Sequence, residues 1–292
     1  MSTSRRRRLR VLVRDVGSEL RGHDILLYAA GVTFYGAIAA VPLVVVTVYL
    51  TGALVGQGTV RHLGTLLADQ LPMNLGAERA ARSVVEATTR LPVSAALVAL
   101  LPASLYSEGL VRAFDRLSVA PDSRLSRGLR GRLKSLPLYA LAPVLLLVIL
   151  IATTWIQGSV GGGTGGRLLG VYLAFLTAWG AFTALLFGAY RFLSPERLGG
   201  RAVLWGAAAT GSMLAGMLLG FVLFLGIRVD IGTAYGGFVT VAAVAVVGGW
   251  AYLLHVVLLT GYLLTRRLAA RAGHPTGPAV LDVPMPTPVG TG

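Results

Sequence analysis

Few side chains in this sequence could do chemistry. His255 sits inside the apolar run "WAYLLHVVLL". An imidazole there can carry a proton or exchange hydrogen bonds, and a lone one more often serves packing than proton transfer. Glu108, Arg112 and Asp115 share "SEGLVRAFDR". Glu108 and Arg112 stand four apart, the spacing of an ion pair on one helix face. The competing reading of Glu108 is a carboxylate at the inner end of a proton path. Thr33, Tyr35, Thr47, Thr153, Thr154, Thr210, Ser212 and Thr240 could line a polar path, or bond back to their own helices. His23, His62 and His274 fall in separate polar segments, so no metal set forms around His255. The 292 residues contain no cysteine, which removes disulfides, thiol catalysis and cysteine-held metals. No phosphate-cradling loop, zinc spacing or Ser-His-Asp pattern is present. Nuclease chemistry would need clustered carboxylates or histidines. The expectation is a protein with no catalytic residues, no metal and no cofactor.

The elements that hold these residues are apolar. Hydrophobic residues make up 55% of the chain and charged ones 13%, against about 25% charged in soluble domains. Six apolar stretches follow: about 25–56, 91–107, 136–157, 168–193, 202–227 and 237–264. A spanning helix needs about 20 such residues. Five stretches reach that length. The second is short and holds Pro92 and Pro102, so it either spans with help from "SEGL" beyond it or is broken. The expected fold is all-α: a polytopic membrane bundle of about six helices, with a basic segment 1–24 before the six-helix domain 25–267 and a Pro/Gly-rich tail 268–292, which reads as disordered.

The net charge is +14, and its distribution decides its meaning. If all six stretches span with the N-terminus inside, 20 of the 26 basic residues face inward. They lie in the N-terminal segment, the loop Arg112–Lys134, the segment Arg191–Arg201 and the C-terminal tail. This positive-inside bias places both termini in the cytoplasm, in the cell membrane. It accounts for the charge without nucleic acid. Arg124, Arg127, Arg130 and Arg132 are the expected contacts for anionic lipid or a partner. "SRRRRLR" is similar to a twin-arginine export signal, but Asp15, Glu19 and Asp24 intervene and the apolar run that follows is too long.

Outside the spans, "VRHLGTLLADQLP" and "GAERAARSVVEATTR" read as short amphipathic helices on the outer surface or capping the bundle. "EGLVRAFDRL" reads the same way inside, with Leu110, Ala113, Phe114 and Leu117 opposed to Glu108, Arg112, Asp115 and Arg116. "GSVGGGTGG" reads as a flexible loop.

Small residues crowd three stretches: "YAAGVTFYGAIAAVP" in the first, "GMLLG" in the fifth, and Gly248 and Gly249 among others in the sixth. Lipid is as apolar as leucine, so helices associate in a bilayer by close packing, which needs small side chains. These three helices are the expected tight centre. Pro42 removes a helix hydrogen bond near Ile38, giving either a static kink or a hinge.

The first stretch, "YAAGVTFYGAIAAVPLVVV", resembles the opening helix of the YihY/BrkB family of bacterial membrane proteins. "GLVRAFDRL" and the closing "YGGFVTVAAVAVVGGWAYLLHVVLLTGYLLTRRL" are similar to that family's middle and last motifs, in order, over roughly residues 15–270. The resemblance implies six spans with both termini inside, and roles in the envelope or in transport. Two departures stand out. Leu263 falls near the position where members often carry a glutamate, and Asp115 replaces an asparagine. The ribonuclease label sometimes given to the family finds no support in these residues.

The functional expectation is a transporter or flippase-like protein for an amphipathic or lipid-linked molecule, drawn by a basic collar. Thr33, Tyr35, Pro42, Thr210 and His255 would form the path or hinge, and Glu108, Arg112 and Asp115 its polar interface. The alternative is a scaffold that binds a partner through its basic loop.

Overall fold

The computed structural model describes residues 24–68, 77–118, 137–148, 163–226 and 231–272. Among them there are helices and no strand. In chain order they are α1 Ile25–Val55, α2 Gln57–Ala68, α3 Ala77–Thr89, α4 Val93–Arg116, α5 Pro137–Val148, α6 Gly163–Gly188, α7 Gly200–Gly226 and α8 Val239–Arg271. A π-turn, Ala189–Leu193, extends α6, and a 3-10 turn, Ile231–Tyr235, precedes α8. Five helices (α1, α4, α6, α7 and α8) are long and apolar enough to cross a membrane. α5 lies within the expected third span, and the rest of that span falls outside the described residues.

These helices are apolar on nearly every face, as a bilayer requires. Leu27 and Phe34 of α1, Val98 and Leu101 of α4, Leu223 of α7 and Val244 of α8 are all exposed. The core sits at one end. Ile25, Ala29 and Val32 of α1 meet Phe114 and Leu117 of α4, Tyr190 and Leu193 of the π-turn, Val203 of α7, and Leu259, Tyr262 and Leu263 of α8. Phe114 stacks on Tyr262 with ring centroids 4.2 Å apart, and Tyr190 meets Phe114 edge-on at 5.8 Å. The Tyr190 hydroxyl donates to the Leu258 carbonyl at 2.8 Å. The π-turn ends at Leu193, and from Ser194 the chain leaves the helix for the α6–α7 connection.

Several expectations shift. The second stretch is one helix of 24 residues, about 36 Å at 1.5 Å per residue, so it does not break at Pro102. It carries "SEGLVRAFDR" as its last turns. Leu110, Ala113, Phe114 and Leu117 are buried as the pattern predicts, and Arg112 and Arg116 are exposed, but Asp115 is buried too. α6 begins at Gly163, inside the stretch read as a flexible loop. α8 runs to Arg271, past the expected boundary at 267. Residues 1–23 and 273–292 lie outside the described residues.

The small residues divide. Gly36 faces Tyr106 and His255, and Gly109 of α4 faces Tyr35. Gly206 and Gly261 take Thr265 and Thr210 in reciprocal contacts between α7 and α8, and Gly211 takes Thr183 of α6. By contrast Gly216 and Gly220, the "GMLLG" pair, and Gly248 and Gly249 have no neighbour within 4 Å of a Cβ position. The pattern was right for part of each helix only, because composition does not reveal which face meets protein. α1 also packs more extensively on α4 than on α7 or α8. At the end away from the core, α2 and α3 pair through Val60, Gly64 and Val85 and pack on α1.

Candidate functional site

Helix packing leaves a cavity of about 290 Å³ at the middle of the bundle. Leu43 of α1, Ala103 of α4, Ala142 of α5, Leu185 of α6, Leu214 of α7 and Leu254 of α8 contribute to its wall. Six elements thus contribute walls to one partly open apolar space, and none of the lining residues is charged. The polar exceptions are Tyr106 and Ser107 of α4, Tyr139 of α5 and His255 of α8.

His255 is held from three sides. Its Nδ1 lies 2.8 Å from the Ala251 carbonyl and 3.1 Å from Oγ1 of Thr33, and its Nε2 lies 3.0 Å from the Tyr106 hydroxyl. The carbonyl can only accept, so Nδ1 carries the proton. Thr33 spends its own proton on the Ala29 carbonyl at 2.7 Å and therefore accepts from Nδ1. Nε2 is then the bare nitrogen, and Tyr106 donates to it. The Tyr106 ring stands edge-on to the imidazole, centroids 5.6 Å apart. Gly36 makes room for both, since a Cβ there would lie 3.4–3.5 Å from the two rings. Ser107 is turned to its own helix, donating to Ser104 O at 2.8 Å. The Tyr139 hydroxyl is buried and has no partner among the described residues.

A second polar centre closes the core end. Arg266 of α8 reaches Glu196 of the α6–α7 connection with its Nε 3.1 and 3.0 Å from the two carboxylate oxygens. Its Nη1 donates to the Leu117 carbonyl at the end of α4. Both side chains are nearly sealed, 6% and 7% exposed. Beside them Ser194 shares a hydrogen bond of 2.9 Å with the Tyr262 hydroxyl and caps the Glu196 amide at 3.1 Å. Three separate chain segments are therefore tied through one guanidinium.

Of the residues singled out by sequence, Thr33 and His255 meet at the cavity's polar end. Tyr35 packs over Gly109, away from it. Pro42 is half-buried within an unbroken α1, next to the lining residue Leu43. Thr210 is buried, bonds to Gly206 O at 2.7 Å and presses on Gly261, so it is a packing residue and does not line the space. Glu108 pairs with Arg112 at 2.5 Å near the helix end. Asp115 lies buried in the core end, apart from that pair. Arg124, Arg127, Arg130 and Arg132 lie outside the described residues. Sequence reasoning missed Tyr106, Tyr139 and the Glu196–Arg266 pair. Tyr106 gave no signal apart from being a polar ring in the second stretch; Arg266 was read only as a basic residue of the C-terminal tail, and Glu196 was not singled out. Among the described residues no three His, Asp or Glu side chains gather as a metal site.

Membrane-length apolar helices around an uncharged internal space define an integral membrane protein built as an all-α bundle. The chain belongs to the virulence factor BrkB family, which it matches over residues 16–280. No curated protein and no solved structure matches it.

Proposed function

We propose that this protein is a transporter of the cell membrane that takes an amphipathic, lipid-like molecule into the space beside His255 and passes it across the bilayer. The cavity carries this reading: it is apolar, central, and polar at one spot, as small-molecule sites are. The Glu196–Arg266 tie gives it a closed end. That end gathers the termini of α1, α4, α6, α7 and α8 whose flanking segments hold most of the arginines, which supports a cytoplasmic assignment for it. A basic collar at that face would concentrate anionic lipid.

The absence of cysteine makes the test direct. Ala142→Cys and Ala251→Cys place a thiol in the cavity wall, and Thr210→Cys is a packed control. An impermeant thiol reagent is applied to intact cells and to inverted vesicles, with and without Glu196→Gln. Labelling of both cavity thiols, faster from the inverted side once Glu196 is changed, is the expected result. Silence at both positions in both backgrounds, with loop cysteines reacting, would overturn a transport path through this space.

A further inference from the structure

We infer that the outer surface of the α6–α7 connection is a binding site for the headgroups of anionic phospholipids in the leaflet at the core end. Such a site exists whether or not the bundle transports anything.

The connection and its flanks have two unlike faces. Leu193, Leu198, Ala202 and Val203 belong to the buried core, while Arg191, Arg197 and Arg201 are exposed. Between residues 189 and 209 the one carboxylate is Glu196, and it is turned inward to Arg266, with 7% of its side chain exposed. None of the three arginines has a hydrogen-bond or ion-pair partner among the described residues. Arg112 and Arg82, by contrast, hold Glu108 and Glu78. The outer face is therefore positive with no compensation of its own. The start of α7 adds to the same field. Its first turn holds no acidic residue, its first amides have no acceptor within the helix, and the positive end of the helix dipole lies there.

Apolar side chains stand beside the charge. Phe192, Leu204 and Trp205 are exposed, Trp205 at 68%. Arg201 and Trp205 are four apart on α7 and so share a face, with the tryptophan about 6 Å further along the axis. Arginine toward the helix end and indole toward the bilayer centre is the order of a headgroup layer above acyl chains, where tryptophan concentrates. A nucleic acid or an acidic protein would answer the arginines and leave Leu204 and Trp205 without a use. A guanidinium meets phosphodiester oxygens through paired N–H groups, and each arginine near an anionic surface is worth about fivefold in affinity. A zwitterionic headgroup sets a cation beside its phosphate and gains less.

The full protein reconstituted in phosphatidylcholine tests this. The chain has no cysteine, so Gly200→Cys, where a Cβ meets nothing within 4 Å, can carry a single bimane fluorophore. Thr164→Cys, at the other end of α6, is the control. Quenching by doxyl-labelled phosphatidylglycerol is compared with quenching by doxyl-labelled phosphatidylcholine. Phosphatidylglycerol is expected to be favoured at least about fivefold at position 200 and not at position 164. Arg191→Gln, Arg197→Gln and Arg201→Gln together should abolish the preference and leave the melting temperature unchanged, and the three Arg→Lys changes should keep most of it. Neutralising Arg124, Arg127, Arg130 and Arg132 instead should leave it in place. Equal quenching by the two lipids, a preference that survives the triple glutamine change, or one abolished by the loop changes alone would overturn the inference. So would inorganic phosphate that removes the preference at an ionic strength where sodium chloride does not, since that marks a site for the free ion. The cavity thiol reactions are read separately: their silence leaves the lipid site standing, and loss of the lipid preference leaves the transport path standing.

Discussion

A Cβ built on Gly109 would lie 2.8 Å from Cδ2 of Tyr35 and 3.1 Å from its Cβ. The second distance involves an atom fixed to the backbone of α1, so rotating the ring does not relieve it. Gly109→Ala is therefore expected to push α1 and α4 apart and to destabilise by about 1–3 kcal/mol, the usual range for overpacking. Gly216→Ala is the counterpart. Its Cβ meets nothing within 4 Å, and alanine favours helix over glycine by up to ~1 kcal/mol. Thermal unfolding in detergent should lower the midpoint for the first and leave or raise it for the second. Equal responses would mean that the two glycines do not differ in packing. Sequence singled out Gly216, within the "GMLLG" pair, for close approach and passed over Gly109, because composition does not show which face meets protein. His255 stood out because an imidazole in an apolar run is rare. Its partner Tyr106 did not, since a tyrosine near a helix end is unremarkable until the last helix is laid against it.

At the scale of elements, the Glu196–Arg266 pair joins α8 to the connection between α6 and α7 and, through Leu117, to α4. Burial makes it asymmetric. An intact pair adds modest net stability, because desolvation offsets attraction; removing one partner strands the other, at about 3–5 kcal/mol. Glu196→Gln should cost in that range. Glu196→Leu combined with Arg266→Met should recover most of the loss, as buried pairs replaced by apolar residues often do. Chemical denaturation of the three proteins checks this. A single variant as stable as the parent would show that the pair does not hold the end closed. Nothing in the sequence placed these two residues together: they are 70 positions apart, and each reads locally as a charge flanking a span. The elements themselves were legible, because length and apolarity suffice to define a spanning helix. Their ends were less so. α4 and α8 run on into segments whose polar residues find partners only in the assembled core, a tertiary effect that local pattern does not carry.

For the whole molecule, the path of the chain sets the number of crossings. Phe114 and Leu117 at the end of α4 share a core with Tyr190 and Leu193 at the end of α6. Those two ends lie on one side, so the start of α6 at Gly163 lies on the other. A crossing between the two is the expectation that follows, and Pro137–Val148 is the described part of the chain between them. α5 is placed to make that crossing. Leu138 approaches the Gly188 end of α6, Pro143 accepts from Thr51 at 3.5 Å, and Leu146 meets Val48 and Val60 near the α2–α3 pair. It thus rises from the core end toward the opposite one. We propose on this basis six crossings, with both ends of the bundle domain on the core side and, by the arginine bias, that side in the cytoplasm. Single cysteines at exposed Arg116, Arg197, Gly58 and Thr164 separate the alternatives. The first two should react with an impermeant reagent only in inverted vesicles, and the last two only in intact cells. Arg116→Cys and Thr164→Cys reacting from the same side would exclude the sixth crossing. The four sites reacting in opposite pairs with the sides exchanged would keep six crossings but reverse the orientation, and the closed end of the cavity would then face away from the cytoplasm.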